Sequence, residues 1–283
     1  MTEGSAEQSL SAGRTEDLGS GVLSVTAENP GPLTLDGTRT WIVGTAVVAI
    51  VDPGPDDPAH LDRVARAVNG RDVAAVCLTH AHIDHSAASA SAVERWGRLY
   101  ASAETLARIG VDGTPLRDGD EIVLDERAGG LVLHALETPG HSGDHLAFML
   151  LPTRDVLTGD LVLGRGSSMV AHPDGSVGAY LASLARLGSL RPRRLLPGHG
   201  PVVGDAAARL AEYAAHRRER SSQVQAALEA GARSVSELRD AVYGDIPPGV
   251  VQAAELSLLA HLEHLEELGY RAPWPSDRSG DRR

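Results

Sequence analysis

Lysine is absent from this 283-residue chain: all 26 basic residues are arginine, set against 38 acidic ones for a formal net charge of −12. So acidic a chain repels phosphate on average, which excludes general polyanion binding and leaves only a local arginine patch to override the mean. Aromatics are scarce, with one Phe, three Trp and five Tyr. The core is therefore aliphatic, and few rings are on offer for stacking bases. A single cysteine, Cys77, excludes an intramolecular disulfide framework and fits a reducing compartment. The opening residues Met1 to Glu7 carry neither a basic nor an apolar leader segment. The most apolar run, Thr45–Val51, falls far short of the roughly 20 residues that span a bilayer. These absences point to a soluble, cytoplasmic protein without a membrane partner. What is present, 42% apolar and 23% charged residues, is the composition of a globular chain, and at roughly 150 residues per domain its length suggests a large domain with a smaller appendage.

Residues 1–20 are rich in Ser, Gly and Glu without periodicity and read as a disordered lead-in. From Gly21, short apolar runs alternate with helical spacings. The run Thr45–Val51 stops at the turn Asp52-Pro53-Gly54-Pro55, His60–Val68 has helical periodicity, and Val73–Leu78 is a second buried strand. A strand-rich middle (121–124, 131–136, 145–151, 155–157) precedes a helix over 177–187 and a short strand at 194–196. Sheets with helices packed outside them follow from this order. After Pro201 the pattern turns helical. One long helix is expected over 205–230, then a helix capped by Ser234 with Glu237 as its capping-box partner, then a longer one stopped by Gly269. The expected organisation is thus a catalytic domain over 21–204, a helical, winged-helix-like cap over 205–272 and a polar tail over 273–283.

The chemistry concentrates at strand ends. Thr79-His80-Ala81-His82-Ile83-Asp84-His85-Ser86 places three histidines and an aspartate within six residues, directly after an apolar strand. On an extended backbone His80 and His82 point to the same side, while Asp84 and His85 sit on the turn into the next helix and can face a second ion. Imidazole and carboxylate are the donors zinc takes when no thiolate is offered. Three further signals follow in order: His141 in Thr138-Pro139-Gly140-His141, Asp160 in Thr158-Gly159-Asp160, where a carboxylate is able to bridge two cations, and His199 in Pro197-Gly198-His199-Gly200.

This ordered set resembles the metallo-β-lactamase superfamily, and within it the glyoxalase II-like branch and the beta-lactamase-like protein 2 family. The segments Asn29–Thr38, Tyr180–Leu184 and Tyr213–Arg217 support the branch, and the likeness runs over about residues 21–270. The resemblance implies an α/β (α+β) fold, a four-layer αββα sandwich with metals at one edge. It implies that His80, His82 and His141 hold one ion, that Asp84, His85 and His199 hold the other, and that Asp160 bridges them. Ala81 stands where the family often has a bulky residue, which would widen the mouth of the site.

The cofactor expectation is two Zn2+, with iron and manganese suited to the same nitrogen and oxygen donors. Two such ions lower the pKa of a shared water from 15.7 toward about 7 and polarise the bond under attack. Asp84 is the expected catalytic residue, orienting the hydroxide and handling its proton. Asp52 and His145 are candidates to orient ligand imidazoles, and Arg165, Ser168 and His172 to contact substrate. The substrate is an ester or thioester on a small molecule or acyl carrier, or, as the closest family resemblance implies, single-stranded RNA. Arg191, Arg193 and Arg194 together with Arg217, Arg218 and Arg220 are the arginines that could serve RNA. A mononuclear iron persulfide dioxygenase is the alternative on the same fold, but such relatives do not need the last ligand, which here is complete. His60, His134, His261 and His264 are expected at the surface or half-buried, and Cys77 in the core.

Overall fold

The computed structural model describes residues 13–125 and 130–270. The polar tail over 273–283 and the first twelve residues of the expected lead-in lie outside the described residues. The rest of the lead-in is not loose: Thr15–Asp17 forms strand β1, pairing antiparallel with β2 (Val22–Thr26). It has no apolar alternation because it is an edge strand, held through its backbone rather than through a buried face.

Two sheets form the body. The first has seven strands in sequence order, β1 and β2 followed by β3 (Arg39–Gly44), β4 (Val47–Val51), β5 (Asp72–Cys77), β6 (Leu99–Ser102) and β7 (Thr114–Leu116). Pairing is antiparallel up to β4 and parallel from β4 to β7, where helices make the crossovers. Those helices are α1 (Pro58–Val68), α2 (Ile83–Ser86), α3 (Ser89–Trp96) and α4 (Ala103–Ile109). The second sheet has five strands: β8 (Glu121–Val123), β9 (Val132–Glu137), β10 (Leu146–Leu151), β11 (Asp155–Gly159) and β12 (Arg194–Pro197). Helices α5 (Val177–Ser189) and α6 (Ala206–Glu229) pack on its outer face, and α7 (Val235–Tyr243) and α8 (Val251–Glu267) complete the cap.

Side-chain alternation explains the layering. Trp41, Val43, Ala49 and Val51 face inward and meet Leu146, Phe148 and Leu150 of the other sheet, while Ile42, Val48 and Ile50 face outward onto Val64 and Val68 of α1. Likewise Ala147 and Met149 turn out toward Tyr180 and Leu184 of α5. The expected αββα sandwich is what the sequence builds. In the cap, Val224, Leu228, Leu238, Leu258, Leu262 and Leu265 form a separate small core. Ser234 caps α7 by accepting the amide of Glu237 at 3.2 Å, and the Glu237 carboxylate reaches back to the amide of Arg233 at 2.6 Å. Gly269, at φ +90°, terminates α8.

Not every histidine expectation holds. His60 and His261 are fully buried, His60 bonding Thr40 Oγ1 at 2.8 Å and His261 bonding Ser221 Oγ at 2.9 Å. His60 stands four residues before Val64 on the inward stripe of α1, and that spacing is the signal that places it.

Candidate metal centre

The loops leaving β5, β9, β11 and β12 converge at one edge of the sandwich. They bring His80, His82, His141 and Asp160 into one group and Asp84, His85 and His199 into another, the donor atoms in each lying within 4.8 Å of one another. Glycine makes two of these approaches feasible. A Cβ on Gly140 would fall 2.3 Å from the Tyr180 backbone, and one on Gly198 would fall 2.6 Å from the His85 ring and 2.9 Å from Asp160. Each precedes a site histidine, so the Gly-His turns exist because only glycine lets the chain pass.

The outward nitrogen of each ring fixes what the inward one can do. Thr79 donates its hydroxyl hydrogen to Asp52 Oδ2 at 2.8 Å, so the same oxygen accepts from His80 Nδ1 at 2.9 Å. His85 Nδ1 donates to Asp52 Oδ2 at 2.9 Å, His141 Nδ1 to the Met169 carbonyl at 2.7 Å, and His199 Nδ1 to the Gly37 carbonyl at 3.3 Å. All four rings therefore turn Nε2 inward, the nitrogen left free to bind a metal. His85 Nε2 lies 3.2 Å from His199 Nε2, and His141 Nε2 lies 3.0 Å from His82 Nδ1. His80 Nε2 is buried with no hydrogen-bond partner. Ring nitrogens crowded at such distances repel one another whether protonated or not, and a metal cation among them, taking their lone pairs, removes the repulsion. The nitrogen and oxygen donor set fits a divalent metal.

Asp160 spans the two groups. Its Oδ1 lies 3.3 Å from both His85 Nε2 and His199 Nε2, and its Oδ2 lies 3.8 Å from His141 Nε2. Burial pushes the carboxyls of Asp84 and Asp160 up, but the facing His85 and His199 imidazoles outweigh it and hold both below the usual range. Burial works against charge on His199, yet Asp160 and Asp84 lift it to about 9, and the carboxylates around His85 raise it likewise. His80 goes the other way, lowered by burial and by the neighbouring His85, His141 and His145 rings. The donors thus divide into an imidazole-rich group, where burial disfavours charge on His80 and His141, and a carboxylate-rich group, with Asp160 between them.

Asp52 sits behind the donors. It accepts the Thr79 amide at 2.7 Å as well as the Thr79 hydroxyl and His85, from a left-handed backbone at φ 55° that a non-glycine residue adopts only when its surroundings impose it. His145 differs from expectation: its Nδ1 faces Thr138 Oγ1 at 2.9 Å, and its ring packs 5.2 Å from that of His80 without bonding a candidate ligand. Two orienting groups have no counterpart in the sequence reading. Thr38 donates to Asp84 Oδ2 at 3.0 Å, and buried Asp144 accepts the Ala81 amide at 2.9 Å and the Thr105 hydroxyl at 2.7 Å.

A cleft of ≈ 420 Å³ opens above the donors, lined by His82, Asp84, His141, Asp160 and His199, by Leu33, Leu35, Ile83, Leu163 and Met169, and by Arg165. Ser168 lies on its wall, but its buried hydroxyl is turned to the Asp160 carbonyl and stands 3.2 Å from His141 Nδ1, so it supports the site rather than reaching into the cleft. His172 faces away, 3.3 Å from Glu263 of α8, because its loop is tied to that helix through the Leu256 carbonyl. Ala81 is not part of the lining, so its small size does not widen the mouth.

Comparison with known proteins agrees with this geometry. The metallo-beta-lactamase superfamily matches residues 33–199, and a beta-lactamase associated winged helix domain matches residues 234–270. A lactamase-like protein from Aspergillus niger, adaB, is 32% identical over 253 residues, covering 82% of this chain and 76% of its own. An atrochrysone carboxyl ACP thioesterase from Aspergillus chevalieri is 32% identical over 247 residues, with the same coverage of 82% and 76%. A metallo-beta-lactamase family protein of known structure from Thermus thermophilus superposes with a TM-score of 0.73 at 25% identity, over 89% of this chain and 95% of that one. The chain belongs to the metallo-beta-lactamase superfamily. It is a metal-dependent hydrolase of that fold, with a winged-helix-associated C-terminal region.

Proposed function

We propose that this chain is a two-metal, zinc-dependent hydrolase of the glyoxalase II-like branch that cleaves an acyl thioester borne by a small thiol or an acyl carrier. The observation that carries the reading is a juxtaposition: seven metal-type donors, five of them at the floor of a cleft whose walls are largely aliphatic. Leu33 and Ile83 stand 64% and 78% exposed at its mouth. An apolar acyl chain would cover them, whereas a ribose-phosphate chain would leave them wet. The name of the Aspergillus chevalieri relative points the same way.

Of the six arginines that could serve RNA, Arg191 and Arg218 stand exposed and the other four are engaged within the chain. Arg193 and Arg194 are bonded to Asp155, Arg217 is buried, and Arg220 lies over the Tyr243 ring and bonds the Val242 carbonyl. Among the described residues, Arg165 is the cationic side chain on the cleft lining, suited to an anionic group of the carrier.

In this reading His80, His82 and His141 would hold one ion and Asp84, His85 and His199 the other, with Asp160 placed between the two groups. Bound there, the metals would supply an acidified water and a polarised carbonyl. Asp84 does the proton work. Thr38 holds its Oδ2, its side chain is 23% exposed to the cleft, and its carboxyl stays ionised. As water oxygen bonds to the thioester carbon, Asp84 takes the proton. It then returns the proton to the sulfur as the carbon–sulfur bond breaks, giving a carboxylic acid and a thiol. Buried, unpaired Cys77 accords with a reducing, cytoplasmic setting.

The test presents the metal-loaded full chain with acyl thioesters of a small thiol, the same acyl groups on a carrier protein, and a single-stranded oligoribonucleotide. Thiol release without RNA cleavage is expected. Cleaved RNA beside untouched thioesters would overturn the substrate assignment.

A further inference from the structure

Helix α6 does more than cover the second sheet. Arg209, Tyr213 and Arg217 follow one another at four-residue spacing, on one face of the helix. All three bond the backbone of the segment between Leu163 and Ser168. Arg209 Nη2 donates to the Leu163 and Gly166 carbonyls at 3.1 and 2.8 Å. The Leu163 amide donates to the Tyr213 hydroxyl at 3.0 Å. Arg217 Nη2 donates to the Ser168 carbonyl and lies 3.3 Å from Ser167 Oγ.

Arg217 is buried, with its guanidinium 5.1 Å from the centre of the Tyr180 ring. Its partners among the described residues are carbonyl, hydroxyl and ring atoms rather than a carboxylate. A guanidinium taken from water on those terms is costly unless its donors are well placed. A solvated helix face would not hold it so. The segment it grips is one wall of the cleft and is tied in turn to the donors: Ser168 Oγ donates to the Asp160 carbonyl, and the Met169 carbonyl accepts from His141 Nδ1.

We propose that Arg209, Tyr213 and Arg217 form a clamp through which helix α6 positions residues 163–169 and, by way of Ser168 and Met169, the donors Asp160 and His141. These are positioning residues, since none of the three touches a donor directly. Only the last link rests on the metal-centre reading.

The experiment compares the full wild-type chain with Arg217→Ala, Arg217→Lys, Tyr213→Phe and, as a control, Arg218→Ala at the exposed neighbouring position. It reads amide hydrogen exchange over 163–169 and the affinity for Zn2+. In Arg217→Ala, exchange over the segment should quicken about tenfold or more, and Zn2+ affinity should fall by about 10- to 100-fold. Arg217→Lys keeps one donor for the Ser168 carbonyl and should recover part of both. Tyr213→Phe, which removes only a hydroxyl, should quicken exchange as well and decides the matter if Arg217→Ala does not fold. Arg218→Ala should match wild type. Wild-type exchange in both Arg217→Ala and Tyr213→Phe would overturn the clamp. Quickened exchange with unchanged Zn2+ affinity would overturn its link to the donors. A wild-type chain that binds no Zn2+ would sink the metal reading alone, with exchange still deciding the clamp.

Discussion

Asp52 Oδ2 lies 2.9 Å from His85 Nδ1, and the same carboxylate holds the amide and hydroxyl of Thr79, the residue before His80. One buried side chain thereby sets the tautomers of two candidate ligands, one in each donor group. Asp52→Asn keeps the shape but offers an N–H where His85 and Thr79 need an acceptor. Zinc affinity is expected to drop about 10- to 100-fold, measured by competition with a chromogenic chelator; wild-type affinity would show that Asp52 orients nothing.

The aliphatic mouth makes a second prediction. Leu33→Asp and Ile83→Asp, at positions already exposed, should leave metal content unchanged and lower kcat/KM for apolar acyl thioesters by about tenfold or more, since each removes roughly 2 kcal/mol of apolar contact. Unchanged kinetics would place the acyl group elsewhere.

Removing a donor should separate catalysis from folding. His82 is half-buried on a loop and contributes no packing to the core between the sheets. His82→Ala is expected to abolish turnover while the metal-free thermal midpoint moves by only a few degrees. Full activity in that variant would refute the assignment.

His60 predicts how stability follows pH. Burial, then the Arg63 charge, lowers it from 6.5 to about 4, with Asp57 opposing weakly. The unfolded chain therefore takes up a proton before the folded one does. Stability is complete above pH 6.5, falls as the pH drops toward 4, and levels off below that. The loss assigned to His60 is about 3 kcal/mol over that window. Urea midpoints across the range should show a slope that His60→Gln flattens, and an equal slope in both proteins would exclude His60 as its source.

The donors were legible in the sequence because each motif is local. His80, His82, Asp84 and His85 fall within six residues of one strand end, and His141 and His199 announce themselves by the glycines their approaches require. Their supports were not. Thr38 reaches Asp84 across 46 residues and Asp144 reaches Ala81 across 63. Both depend on how loops from different strands meet, which periodicity does not encode. The burial of one arginine was illegible for the same reason. Sequence counts Arg217 as a surface cation beside Arg218, whereas the helix turns it into the molecule and leaves its neighbour outside. Strand β1 was hidden because an edge strand needs only backbone partners.

The most direct test counts metal. Elemental analysis of the full chain, equilibrated with zinc and freed of excess, should find two ions per chain, because Asp160 presents one oxygen to each donor group. One ion or none, with all seven donors intact, would contradict the two-metal centre on which the proposed hydrolysis depends.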